Sequence, residues 1–112
     1  MNVKVEASKE YTLVSVEGRI DTTNANEFEK SVMEVIESGC RKLILDCSGL
    51  NYISSSGLRV FLIVQKKMMA IKGHFLLTNL QPGIKEIFDI SGFSSIFAIF
   101  PDKQSALAII KR

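Results

Sequence analysis

Residues 54–57 read Ser-Ser-Ser-Gly, between an aliphatic run, KLILDC (42–47), and an apolar stretch that opens at Leu58. A serine hydroxyl can attack, cap a helix or accept a phosphate. Attack needs a base and an orienting acid within hydrogen-bond reach. The chain has no G-x-S-x-G elbow and no S-x-x-K, and its single histidine, His74, opens a separate strand-like segment as a surface or edge-strand residue. It also lacks a P-loop, G-x-G-x-x-G and H-E-x-x-H. Catalysis is not expected, nor any metal or cofactor. As caps, Ser54 or Ser55 would accept a bond from a free backbone N–H, and Gly57 would admit close neighbours to the first turn. As a phosphoacceptor, the same helix start would gain about −1.5 to −2 charges beside its positive end. The fold accommodates that charge where an acidic or close-packed partner would not, so one modification could switch a contact without unfolding the protein.

The elements that must position these serines follow from pattern. Val3 and Val5 alternate with Lys4 and Glu6 as in a half-exposed strand, and YTLVSVEG reads as a second strand ending at Gly18. DTTNANEFEKSVMEVIESG reads as a helix, with Asn24 and Glu27 as a capping box, Phe28, Val32, Val35 and Ile36 on one face, and Gly39 closing it. KLILDC is a short central strand covered on both faces. A helix follows from about Leu58 to Lys72, then GHFLLTN as a strand. PGIKEIFDISG is a helix opening at Pro82 and stopping at Gly92. SSIFAIF is a last strand, and Pro101–Asp102 open a terminal helix over KQSALAII. Strands alternating with helices after a first hairpin predict an α/β domain with a mixed sheet.

On the helix after the serines, Leu58, Phe61, Gln65, Met68, Met69 and Lys72 group together, with Val64 and Ile71 beside them. Met68 and Met69 read as core filler. Arg59, Lys66, Lys67 and Ala70 form a polar wedge, and Ile63 falls in its middle, two turns from the serines. It is a candidate partner contact.

At 112 residues the chain is read as one domain, 1–112. A hydrophobic share of 46% against 23% charged fits a packed globule rather than a disordered chain. The net charge of +2 is spread without a basic stripe, which argues against nucleic acid as a partner. No run approaches the roughly 20 apolar residues of a membrane span, and MNVKVEASKE shows no signal-peptide core, so a cytosolic protein is expected. Cys40 and Cys47 lack C-x-x-C spacing and read as reduced small core residues.

LILDCSGLNYISSSGLRVFL resembles the signature of STAS domains, especially bacterial anti-sigma-factor antagonists, in which a strand leads through D-x-S to D-S-S-G-L. VEGRIDTTNANEFE resembles the segment entering that family's first helix, and FLLTNLQPGIKEIFDISGFSSIFAIFPDKQSALA its C-terminal half, so the likeness spans nearly the whole chain. It implies a STAS-like sheet of about five strands with helices mainly on one face. It also implies partner switching. The unphosphorylated antagonist binds an anti-sigma factor that is also a serine kinase of the histidine-kinase-like ATPase fold, and so frees a sigma factor. Phosphorylation by that kinase ends binding, and a PP2C-type phosphatase restores it. By position, Ser55 matches the phosphoacceptor (with Ser54 the alternative), Ser56 the second motif serine, and Gly57 and Leu58 the residues after it. Asp46 and Ser48 match a polar pair at the strand end, and Asp21, Thr22, Thr23 and Asn24 match a neighbouring partner-binding loop. Arg59 and Ile63 join that surface from the helix. Ser54 stands where many antagonists carry Asp, which keeps open a second reading: a STAS subunit that is not phosphorylated, a binding or scaffold component of a stress-signalling or lipid-transport complex.

Overall fold

The computed structural model describes residues 1–111. Its elements run β1 (Asn2–Ala7), β2 (Thr12–Ile20), α1 (Ala25–Glu37), β3 (Lys42–Ile53), α2 (Ser55–Ala70), β4 (His74–Thr78), α3 (Pro82–Ser91), a 3-10 turn at Phe93–Ser95, β5 (Ala98–Phe100) and α4 (Lys103–Ile110). The five strands lie side by side in chain order. β1 and β2 form an antiparallel hairpin, and every later pairing is parallel. The expected α/β mixed sheet of about five strands is present.

Two hydrophobic layers hold the sheet. On one face α1, α2 and α3 bury Phe28, Val32, Phe61, Val64, Ile84 and Phe88 against Val14, Val16, Leu43, Leu45 and Leu77. The Phe61 ring lies at the centre, with the rings of Phe28, Phe75, Phe88 and Phe97 at centroid distances of 5.8, 6.4, 6.0 and 6.3 Å. Pairs at these spacings and tilts add to the area they bury. On the other face α4 alone covers Leu13, Ile44 and Leu76 with Ala106 and Ile110. The helices therefore sit mainly on one face, as the resemblance implied.

Several boundaries differ from the pattern reading. β2 continues through Gly18, at φ +96°, to Ile20. β3 is twice the length of KLILDC. Its first part, Leu43–Asp46, pairs with both β2 and β4, while Gly49–Ile53 pairs with β2 alone across two register shifts. An unalternating aliphatic run marks only the part flanked on both sides. SSIFAIF is mostly not strand: its serines belong to the 3-10 turn, and β5 keeps Ala98–Phe100. Asn24 and Glu27 form no capping box, because the Asn24 side chain is engaged before the helix instead. On α2 the buried residues are Gly57, Val60, Phe61, Val64 and Met68, so the core-facing stripe is rotated from the grouping read off the sequence. Met69 is 67% exposed and is not core filler. Cys47 is fully buried and Cys40 half-buried, both as free thiols. Burial, with the Asp46 carboxylate beside it, pushes the Cys47 thiol far up from its ordinary value. His74 is exposed at the start of β4.

Candidate partner-binding surface

The three serines stand where β3 gives way to α2. Ser54 is the N-cap: its backbone is extended (φ −85°, ψ 173°), and its hydroxyl oxygen accepts from Gly57 N–H at 3.2 Å. Its own N–H donates to Ile20 O at 2.8 Å, tying the start of α2 to the end of β2. A Cβ on Gly57 would lie 2.7 Å from Ile53 Cγ1 and 2.8 Å from Ile20 Cγ2, so no side chain fits between α2 and the two strand ends. The helix starts three residues earlier than its apolar pattern, because the cap and this contact set it. Ser55 is thereby the first helical residue, and it is exposed. Ser56, half-buried, turns toward α1.

Beside the serines, the loop Asp21–Asn24 is closed by its own side chains. Asp21 N–H donates to Asn24 Oδ1 at 2.9 Å, and Asn24 Nδ2 donates to Arg19 O at 3.0 Å. Thr23 N–H and Oγ1–H both donate to Asp21 Oδ1, at 2.9 and 2.6 Å. Thr23 holds the Asp21 carboxyl below its ordinary value, first through its hydroxyl and then through its N–H, with the Arg19 guanidinium at 3.9 Å adding attraction. That guanidinium also lies 4.1 Å from the centre of the Tyr52 ring. Thr22 and Thr23 are exposed. Between the first turns of α1 and α2 runs a groove of 390 Å³ lined by Ala25, Asn26, Glu29, Ser56, Arg59, Val60 and Ile63. Ile63 is half-buried in it, and Arg59 is exposed at its rim.

The structure thus brings Asp21, Thr22, Thr23, Asn24, Ser54, Ser55, Ser56, Gly57, Arg59 and Ile63 to one end of the domain. It does not bring Asp46 and Ser48 there. Asp46 sits at the last β3–β4 pair, its Oδ1 accepting from Ser48 N–H at 2.9 Å, and Gln81 Nε2 donates to Ser48 O at 2.9 Å. Five residue steps of extended strand, roughly 16 Å, separate Ser48 from Ile53. The pair lies in the middle of β3, not at its end, because β3 outruns its aliphatic run. Sequence reasoning missed Tyr52, Asn26 and Glu29. Only the strand register, which sets Arg19 opposite Tyr52, would have flagged the first of these.

Geometry alone defines the class: a mixed-sheet α/β domain presenting an open surface, built from two strand ends and two helix starts, at the carboxyl edge of its sheet. Residues 2–106 match the STAS domain family, and the chain belongs to that family. BtrV of Bordetella bronchiseptica, a candidate anti-sigma factor antagonist, is 36% identical over 99 residues, covering 88% of this chain and 85% of that protein. The anti-sigma-B factor antagonist of Bacillus subtilis is 28% identical over 99 residues, covering 88% and 90%. The crystal structure of a candidate anti-sigma factor antagonist from Thermotoga maritima has a TM-score of 0.93 at 19% identity, covering 98% of this chain and 95% of that one. At that identity the likeness is one of fold.

The Gly57 contact makes a direct test. Gly57→Ala gains helix propensity of about 1 kcal/mol but overpacks Ile20 and Ile53 at about 1–3 kcal/mol, so urea denaturation should show a net loss. Gly83→Ala in α3, where a Cβ meets nothing within 4 Å, should show none. The loop makes a second test. A carboxyl lowered in the folded state stabilises above its unfolded pKa, and that stabilisation is lost as pH falls through the folded value. Carbon-detected NMR titration should place Asp21 below 3.8, and Thr23→Ala should raise it toward that value.

Proposed function

We propose that this protein is an anti-sigma-factor antagonist that acts in the cytoplasm by binding alone, with a switch at Ser55. The observation that carries the reading is the placement of Ser55, exposed at the first position of a helix whose start is locked from beneath by Ser54 and Gly57. Unphosphorylated, the surface around Ser55 docks an anti-sigma factor that is also a serine kinase of the histidine-kinase-like ATPase fold, and a sigma factor is released. The names borne by its relatives in Bordetella and Bacillus support an anti-sigma factor as the partner. Phosphate on Ser55 gains from the helix dipole and the free N–H groups of the first turn, so it costs the fold little. The same charge enters the middle of the docked surface, where it meets a desolvation cost. A PP2C-type phosphatase resets the state. Asp21–Asn24, Arg59 and Ile63 complete the contact.

The second reading, a binding or scaffold subunit that is never phosphorylated, draws on one observation. Ser54 occupies the position of the motif Asp and is spent as a neutral helix cap.

Incubation with the cognate anti-sigma factor and ATP separates the two. Peptide mapping over residues 43–59 should find one phosphate on Ser55. Ser55→Ala should stay bound in the presence of ATP, and Ser55→Asp should bind at least about tenfold more weakly, the scale of losing one interface hot spot. Unmodified peptide together with parental binding by both variants would establish the scaffold reading. On the groove, Ile63→Glu should weaken binding by a similar factor. Its own stability loss should stay within about 1 kcal/mol, since Ile63 is only half-buried; a larger loss would make Ile63 a core residue.

A further inference from the structure

β1 is an edge strand, bonded to β2 on one side and to no strand among the described residues on the other. An open edge of six residues is a ready template for another strand. Its side chains divide cleanly between the faces. Val3 and Val5 stand opposite the buried Val16 and Val14, on the face that α1 covers, while Lys4 and Glu6 stand opposite Ser15 and Leu13 on the other face. Val5 remains 50% exposed, although it continues a layer of fully buried valines.

We propose that β1 pairs with β1 of a second copy, antiparallel about a two-fold axis at Val5, joining the two sheets into one. The charges select this register. With the axis at Val5, Lys4 of each copy faces Glu6 of the other, Val5 faces Val5, and Val3 faces Ala7. An axis at Lys4 would set lysine against lysine, and one at Glu6 would set glutamate against glutamate. An axis between residues would place a valine opposite a charged residue. An axis at Val3 would set Lys4 against Asn2 and pair no opposite charges. Because opposite charges directly across a strand pair stabilise it and like charges oppose it, the Val5 axis is the favoured register. A two-fold interface closes on itself and stops at two copies.

Sedimentation equilibrium of the whole chain, from micromolar to millimolar concentration, tests the assignment. The parent should approach the mass of two copies. Lys4→Glu and Glu6→Lys should each raise the dissociation constant at least about fivefold, since two symmetric pairs become repulsive at once. An equimolar mixture of the two variants should regain parental association, because every glutamate then finds a lysine, and that recovery also shows both variants folded. A parent that stays at one-copy mass at millimolar concentration would overturn the proposal. So would single reversals that leave the dissociation constant unchanged, or a mixture that does not recover.

Discussion

The domain is arranged around the absence of one side chain. At Gly57 the first turn of α2 closes onto Ile20 and Ile53 with no room for a Cβ, and one residue before the helix begins Ser54 N–H reaches Ile20 O. Two strand ends and a helix start meet at that point. Because α2 is pinned there, one turn later Phe61 falls at the centre of the aromatic cluster, and Val64 and Met68 follow it into the core. The residue left outside by the same geometry is Ser55. Tight packing beneath and exposure above are two sides of one contact.

The neighbouring loop is organised differently but to the same end. Asp21, Thr23 and Asn24 satisfy one another and the backbone, and they leave Thr22 and Thr23 facing solvent. No buried side-chain polar atom lacks a partner among the described residues. A surface built from self-satisfied segments has little conformational freedom to lose when a partner arrives, which lowers the entropic cost of association. Groove, loop and helix start together suit a flat protein partner better than a small molecule.

Much of this was legible in the sequence, for identifiable reasons. Amphipathic periodicity marked α1, Pro82 and Gly92 bounded α3, and the alternation of Val3 and Val5 with charged residues marked β1. The small residues after β3 announced a cap, and Ser54 is that cap. Pattern failed where the environment is mixed. Beyond Asp46, β3 has a neighbour on one side only and its register to β2 shifts twice, so Ser48–Tyr52 shows neither alternation nor an aliphatic run. Asn24 and Glu27 have capping-box spacing, but Asn24 is worth more to the loop before the helix than to the helix itself. Met69 was misplaced because α2 is rotated by its seat at Gly57, a long-range contact that helical periodicity does not contain.

The order of the strands has a bearing on how the protein is made. The sheet repeats chain order from β1 to β5, so each strand, as it leaves the ribosome, finds its neighbour already synthesised. No strand waits for a later one to be inserted between it and its partner, and each parallel pairing closes over the single helical connection between its two strands. α4 comes last, and it alone covers Leu13, Ile44 and Leu76. Until α4 is released, that face of a nascent sheet stands open to water, and a chaperone that recognises apolar strands has its longest opportunity there.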